Sequence, residues 1–127
     1  MQTRNFDCSY KVAFAAVIDV FQDLGFIIQS SDAAIGLVIA KSSSSGSIRG
    51  IPGVSGVSSE TSWETGTAHL EELGAGVSIR VSFVKNKKTS GEYGVVEERS
   101  YAITDGNFYT RFFEKIDKSI FVRKNLR

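Results

Sequence analysis

Cysteine, histidine and proline each occur once in this chain, as Cys8, His69 and Pro52. A single thiol excludes an internal disulfide and a Cys-rich metal site. A single imidazole leaves a His-based metal site without a second histidine. Charge of one sign is missing as well, since 15 Lys and Arg against 14 Asp and Glu give a formal net charge of +1. That balance predicts no general attraction to nucleic acid or anionic lipid. Long apolar runs are also absent. The longest, Val12 to Ile18, stops at Asp19, well short of the roughly 20 residues that span a bilayer.

What remains is the composition of an ordinary globular protein, with 42% apolar and 23% charged residues among 127. One domain over residues 1–127 is expected, large enough for a single core between a sheet and its helices. The start, Met1-Gln2-Thr3, shows neither the basic nor the apolar region of an export signal. Either a cytosolic address or the mature part of an exported precursor follows. Cys8 lacks the small and apolar residues that precede a lipid-modified cysteine, and an inert, half-buried thiol is the expectation.

The first helix is the clearest element. Asp7 and Ser9 are N-cap residue types, and Tyr10 to Leu24 carries the helical period. Phe14, Val17, Phe21 and Leu24 mark one face, widened by Tyr10 and Ala13. Gly25 follows where a left-handed C-terminal residue is wanted. Two strands come next, Phe26 to Ser30 and Ile35 to Lys41, around a polar turn.

Residues 42–60, SSSSGSIRGIPGVSGVSSE, are dominated by Ser and Gly and predict a long flexible loop. Thr61 to Leu73 reads as extended but irregular, followed by a Gly74-Ala75-Gly76 turn. From Val77 to Val84 the alternation is clean. Val77, Ile79, Val81 and Phe83 point one way and Ser78, Arg80 and Ser82 the other, which means one buried and one wet face. Lys85 to Gly94 reads as a polar connection, and Val95 to Ile103 as a strand with Tyr101 and Ile103 facing inward. The last helix begins near Thr104-Asp105. Phe108, Phe112, Ile116 and Ile120 set its stripe, Tyr109, Phe113 and Phe121 widen it, and basic residues gather toward its end. The predicted class is α+β: an antiparallel sheet with two helices on one face, in the order β-α-β-β-(long loop)-β-β-β-α.

Sites for chemistry are hard to find. His69 shares a strand face with Glu71, but their spacing brings no nucleophile to them. Gly46, Gly50, Gly53 and Gly56 lie in a loop, yet no Lys-Ser/Thr pair and no helix follows to cradle a phosphate. The aromatics of the last helix follow its core period and are not free to stack on bases. No catalytic residue, cofactor or metal site is therefore expected. Ile48, Ile51, Val54 and Val57 remain, four aliphatics at near-regular spacing on an exposed segment. They form the candidate contact for a partner, or they fold back on the domain's own edge.

Three segments together carry a resemblance: TRNF with AVIDVFQDLGFIIQSSDAAIGLVIAK, then LEELGAGVSIRVSF, then YAITDGNFYTRFFEKIDKSIFV. They resemble small bacterial envelope lipoproteins and their periplasmic domains. The pattern is similar to domains of the C-component lipoprotein of the outer-membrane β-barrel assembly machinery. The resemblance implies a non-enzymatic interaction or scaffold domain in the periplasm or at the outer membrane. Its partner would be an envelope protein, and it would meet the membrane only through a lipid anchor on a precursor segment outside this chain. It supplies no catalytic residues to carry over. A domain holding a small apolar ligand in a helix–sheet groove is the alternative, with Gly36 and Ala40 leaving the room.

Overall fold

A computed structural model describes residues 2–43, 45–49, 58–91 and 96–125, with only the backbone course at 45–49, 58–59 and 96. The elements are β1 Gln2–Phe6, α1 Tyr10–Asp23, β2 Phe26–Asp32, β3 Leu37–Ser42 and β4 Ser45–Arg49. They continue with β5 Ser58–Leu73, β6 Gly76–Gly91, β7 Val96–Ala102 and α2 Gly106–Asn125. The strands make one antiparallel sheet in the order β1-β6-β5-β3-β2, with β4 also beside β5 and β7 also beside β6. The α+β class, the order of elements and the two helices on one face agree with the sequence reading. One strand is added inside the expected loop.

Both helices start and stop where their caps dictate. The Ser9 hydroxyl accepts the Val12 N–H at 3.3 Å, satisfying one of the donors a helix start leaves over. Gly25 takes φ +86°, a conformation closed to most side chains. Asp105 accepts the Asn107 N–H at 3.0 Å and opens α2. The buried stripe of α1 is nevertheless rotated from the expected one. Ala13, Ala16, Val17, Val20 and Phe21 are buried, Phe14 is only half-buried, and Leu24 is exposed. Ala13, Ala16, Val17 and Phe21 are all at 0% exposure, so the enclosed face mixes small and large residues.

Phe83 on β6 is the hub of the core. Its ring lies 4.8 Å from Phe108, 5.2 Å from Phe112, 5.7 Å from Tyr109 and 6.0 Å from both Phe21 and Phe26, all edge-on. Edge-to-face pairs of this kind add attraction beyond area burial. Gly66 on β5 leaves the space for them, since a Cβ there would lie 2.5 Å from the Phe21 ring and 2.8 Å from that of Phe83. Gly36 likewise admits close packing. A Cβ on it would sit 2.2 Å from the Leu70 carbonyl oxygen, and its φ is +74°. Small residues opposite α1 thus bring the chain together.

A second device closes a gap on the outer edge of β6. There β1 pairs with Val77 to Val81 and β7 with Val84 to Ser90, so Phe83 falls between two ladders. Its N–H donates to the Tyr109 hydroxyl at 3.0 Å, that hydroxyl donates to the Ile103 carbonyl at 2.8 Å, and the Ile103 N–H donates to the Phe83 carbonyl at 2.9 Å. A buried tyrosine from α2 thereby ties β7 to the body of the sheet.

The sheet outruns its helices. β5 and β6 have 16 residues each, about 53 Å at roughly 3.3 Å per residue. The 20 residues of α2 span about 30 Å at 1.5 Å per residue. Two expectations change as a result. Lys85 to Gly91 is strand and not a connection, and Ser45–Arg49 is strand inside the predicted loop, in register with Ser58 to Ser62. Backbone ladders need partner carbonyls and amides, not apolar side chains, so polar sequence does not prevent them.

Candidate functional site

Beyond the ends of the helices, β4, β5, β6 and β7 continue as a four-stranded extension. None of residues 60–64, 85–91 and 97–102 is buried. Tyr101 shows the change most directly. It pairs in register with Lys85, on the helix side of the sheet, but α2 does not reach beneath it and the ring is 47% exposed. Its expected inward position is therefore corrected: the strand points it toward the helix side, and no core lies there.

The helix side of the extension is charged. Lys87 and Glu60 lie 3.7 Å apart and Arg99 and Glu97 2.7 Å apart. A cleft of about 340 Å³ opens where the extension leaves the helices, with Leu24, Phe26, Ser42, Glu64 and Lys85 among its walls. On the opposite face a row of side chains crosses three strands. Ser100 donates to Asn86 at 2.7 Å, and Asn86 donates to Thr65 at 3.0 Å. Beside the row, the Lys41 ammonium lies 4.9 Å above the Trp63 ring, a cation–π contact on a solvated surface. These polar and aromatic groups are held in place by cross-strand pairing.

The sequence candidates are placed unevenly. Ile48 belongs to β4 and pairs in register with Ser59. Ile51, Val54 and Val57 lie outside the described residues. His69 and Glu71 share the wet face of β5, at the opposite end of the sheet. They border an open cleft of about 430 Å³ with Tyr10, Ala34, Ile35 and Glu72. The only hydroxyl lining that cleft, on Tyr10, donates to the Ala33 carbonyl at 2.6 Å. Burial, then the charges of Glu72 and Asp32, push this phenol's pKa up and make it a poorer nucleophile. Cys8 is buried, and burial pushes its thiol up while the Lys124 charge pulls it back. Among the described residues no cluster of three metal-ligating side chains occurs, and no helix is long and apolar enough to cross a membrane.

The extension was not visible in the sequence because its strands lack alternation. With neither face buried, Lys85-Asn86-Lys87-Lys88-Thr89-Ser90-Gly91 has no reason to alternate. The usable signal was length matching across the Gly74-Ala75 turn. The β-branched Thr61, Thr65, Thr67 and Thr89 add to it.

No known protein-family description matches this chain, and no curated protein does. In shape it is similar to the crystal structure of a DUF4468 family protein from Bacteroides ovatus. That match has 9% identity and a TM-score of 0.48, and it covers 94% of this chain and 84% of the other. It is also similar to Ara h 8.0201, with 12% identity, a TM-score of 0.41 and coverage of 94% and 95%. A third similarity is to CalU16 from Micromonospora echinospora, with 14% identity, a TM-score of 0.37 and coverage of 93% and 73%. At these values none of the three assigns the chain a family or a role.

Proposed function

We propose that this chain is a non-enzymatic interaction domain of the bacterial cell envelope that holds a protein partner on the uncovered extension of its sheet. One observation carries the reading: a quarter or more of the sheet lies beyond the core, with none of its described side chains fully buried. Fixing a residue's backbone costs about 1–2 kcal/mol, and within this chain the extension offsets that only through ladders and surface pairs. A partner laid on either face or along the edges of β4 and β7 would supply the missing burial, as peptide strands do when they join a sheet. The envelope address rests on the resemblance of the three segments quoted above. The Phe-filled core gives no support to the alternative of an apolar ligand between helix and sheet. A ligand within that core would have to displace the rings around Phe83, which leaves the open clefts at its rim as the described room for one.

The test is site-specific photocrosslinking. A photoreactive residue replaces Thr61 or Lys88 on the extension, and in a control it replaces Arg111 on the helical surface. Each variant is mixed with solubilised bacterial envelopes. A discrete protein adduct from the extension and none from Arg111 is expected. Equal labelling from both surfaces, or no adduct from the extension, rejects the assignment. Native mass spectrometry of the same preparation addresses the alternative, and a mass equal to the bare chain is expected.

A further inference from the structure

The outer side of α2 carries a feature that the sheet extension does not account for. Phe121 is 68% exposed and neighbouring Val122 is 43% exposed, although the helix buries five other apolar or aromatic residues. Glu114, Asp117, Phe121 and Lys124 follow one another at steps of three and four. All four are exposed, so they form a single seam along the helix. Beside Phe121 lies an open cleft of about 560 Å³ between the last turns of α2 and the β1–α1 turn. The nearly buried Phe6 and Ile120 give it an apolar floor, and Asp7, Asp117 and Lys124 stand at its edge.

We infer that this seam is the contact between two copies of the chain, joined about a two-fold axis with their α2 helices antiparallel and each Phe121 seated in the other's cleft. A two-fold contact presents one patch to itself, so the patch must carry both a projection and the hollow that receives it. Phe121 and the Phe6–Ile120 cleft meet that condition within two turns of helix. The charges meet it as well. Antiparallel pairing reverses the seam, so Asp117 of one copy faces Lys124 of the other, and the pair occurs twice. Parallel pairing would set Asp117 against Asp117. Lys124 is already held at the rim, where its ammonium donates to the Asp7 carbonyl at 3.1 Å. Asp117 makes no ion pair within the described residues. A stable standard interface covers about 800 Å² per partner, near a tenth of the chain's 7967 Å². One helix seam lies toward the small end of that range, where transient pairing is the norm.

Sedimentation velocity of the whole chain from about 5 to about 500 μM tests the pairing, which is concentration-dependent by mass action. The expected result is a reversible monomer–dimer equilibrium. Phe121→Ser weakens it by about tenfold or more. Asp117→Lys and Lys124→Glu each weaken it, and the double exchange brings it back to within about threefold of the original, since both cross-copy pairs re-form with reversed signs. Circular dichroism establishes that each variant is folded. If Lys124→Glu fails to fold beside Asp7, Phe121→Ser alone decides, because an exposed ring does not support the fold. A wild-type chain that stays monomeric throughout, a Phe121→Ser variant that dimerises unchanged, or a double exchange no better than either single one overturns the inference.

Discussion

Replacing Tyr109 with Phe removes one oxygen atom and tests the closure that joins β7 to the core. The ring can keep its packing against Phe83 and Phe108, so the change isolates the hydroxyl. Two hydrogen bonds are lost, from the Phe83 N–H and to the Ile103 carbonyl. The first leaves a donor unpaired inside the protein, which costs about 1–3 kcal/mol. The second concerns a carbonyl in a half-buried position and adds about 0.5–1 kcal/mol. A total of about 1.5–4 kcal/mol is a large share of the roughly 5–15 kcal/mol that holds a domain of this size folded. At about 4 °C per kcal/mol for a chain of this length, the melting temperature should fall by about 6–16 °C. Urea denaturation followed by circular dichroism should show a lower midpoint with an unchanged slope, because the surface exposed on unfolding is the same. Hydrogen exchange should report faster exchange across Val96 to Ala102 than across β1. Tyr101→Phe is the control: an exposed hydroxyl whose loss should shift stability by less than about 0.5 kcal/mol. If Tyr109→Phe behaves like that control, the hydroxyl does not close the gap and the account of β7 is wrong.

Other residues allow simpler tests. Gly66→Ala forces a methyl against the Phe21 and Phe83 rings and should cost about 1–3 kcal/mol in a thermal melt; a neutral result would mean that the rings have room to move. Cys8 should react slowly with a thiol reagent in the native chain and quickly in urea, and equal rates would show the thiol to be open. Because burial raises its folded-state pKa above the ordinary 9.0, the thiol's contribution to stability is complete below that value. It is lost as pH rises through the folded-state value, so Cys8→Ala should flatten the alkaline limb of the stability curve. Replacing Ile51 and Val54 together with Ser should lower the yield of the extension's crosslinked adduct several-fold while leaving the melting temperature within about 1 °C. An unchanged yield confines the contact to the strands.

Legibility followed burial. Val77, Ile79, Val81 and Phe83 alternate because one face of β6 lies under the helices, and that burial wrote itself into the sequence at a period of two. The same strand continues to Gly91, but there no side chain is fully buried and the pattern stops. The helix stripes were visible for the same reason. Their rotation was not, because which side of α1 lies deepest depends on α2, a contact made from the other end of the chain. Candidate sites fared unevenly. His69 shares an exposed strand face with Glu71, as their spacing required, whereas the row of Thr65, Asn86 and Ser100 joins three strands and has no local signature.

The sequence by itself determined the α+β class, the number and caps of the helices, the turn at Gly74-Ala75 and the inward residues of the central strands. These depend on neighbours a few positions away, through backbone conformation and the period of apolar residues. Only the tertiary structure decided that the β5–β6 hairpin outruns its helices, that Tyr109 bridges a gap between β1 and β7, and that Phe121 stands outside the core it was expected to join. Each of those depends on how far one element reaches past another. Such a length in three dimensions leaves no trace in the local order of residues.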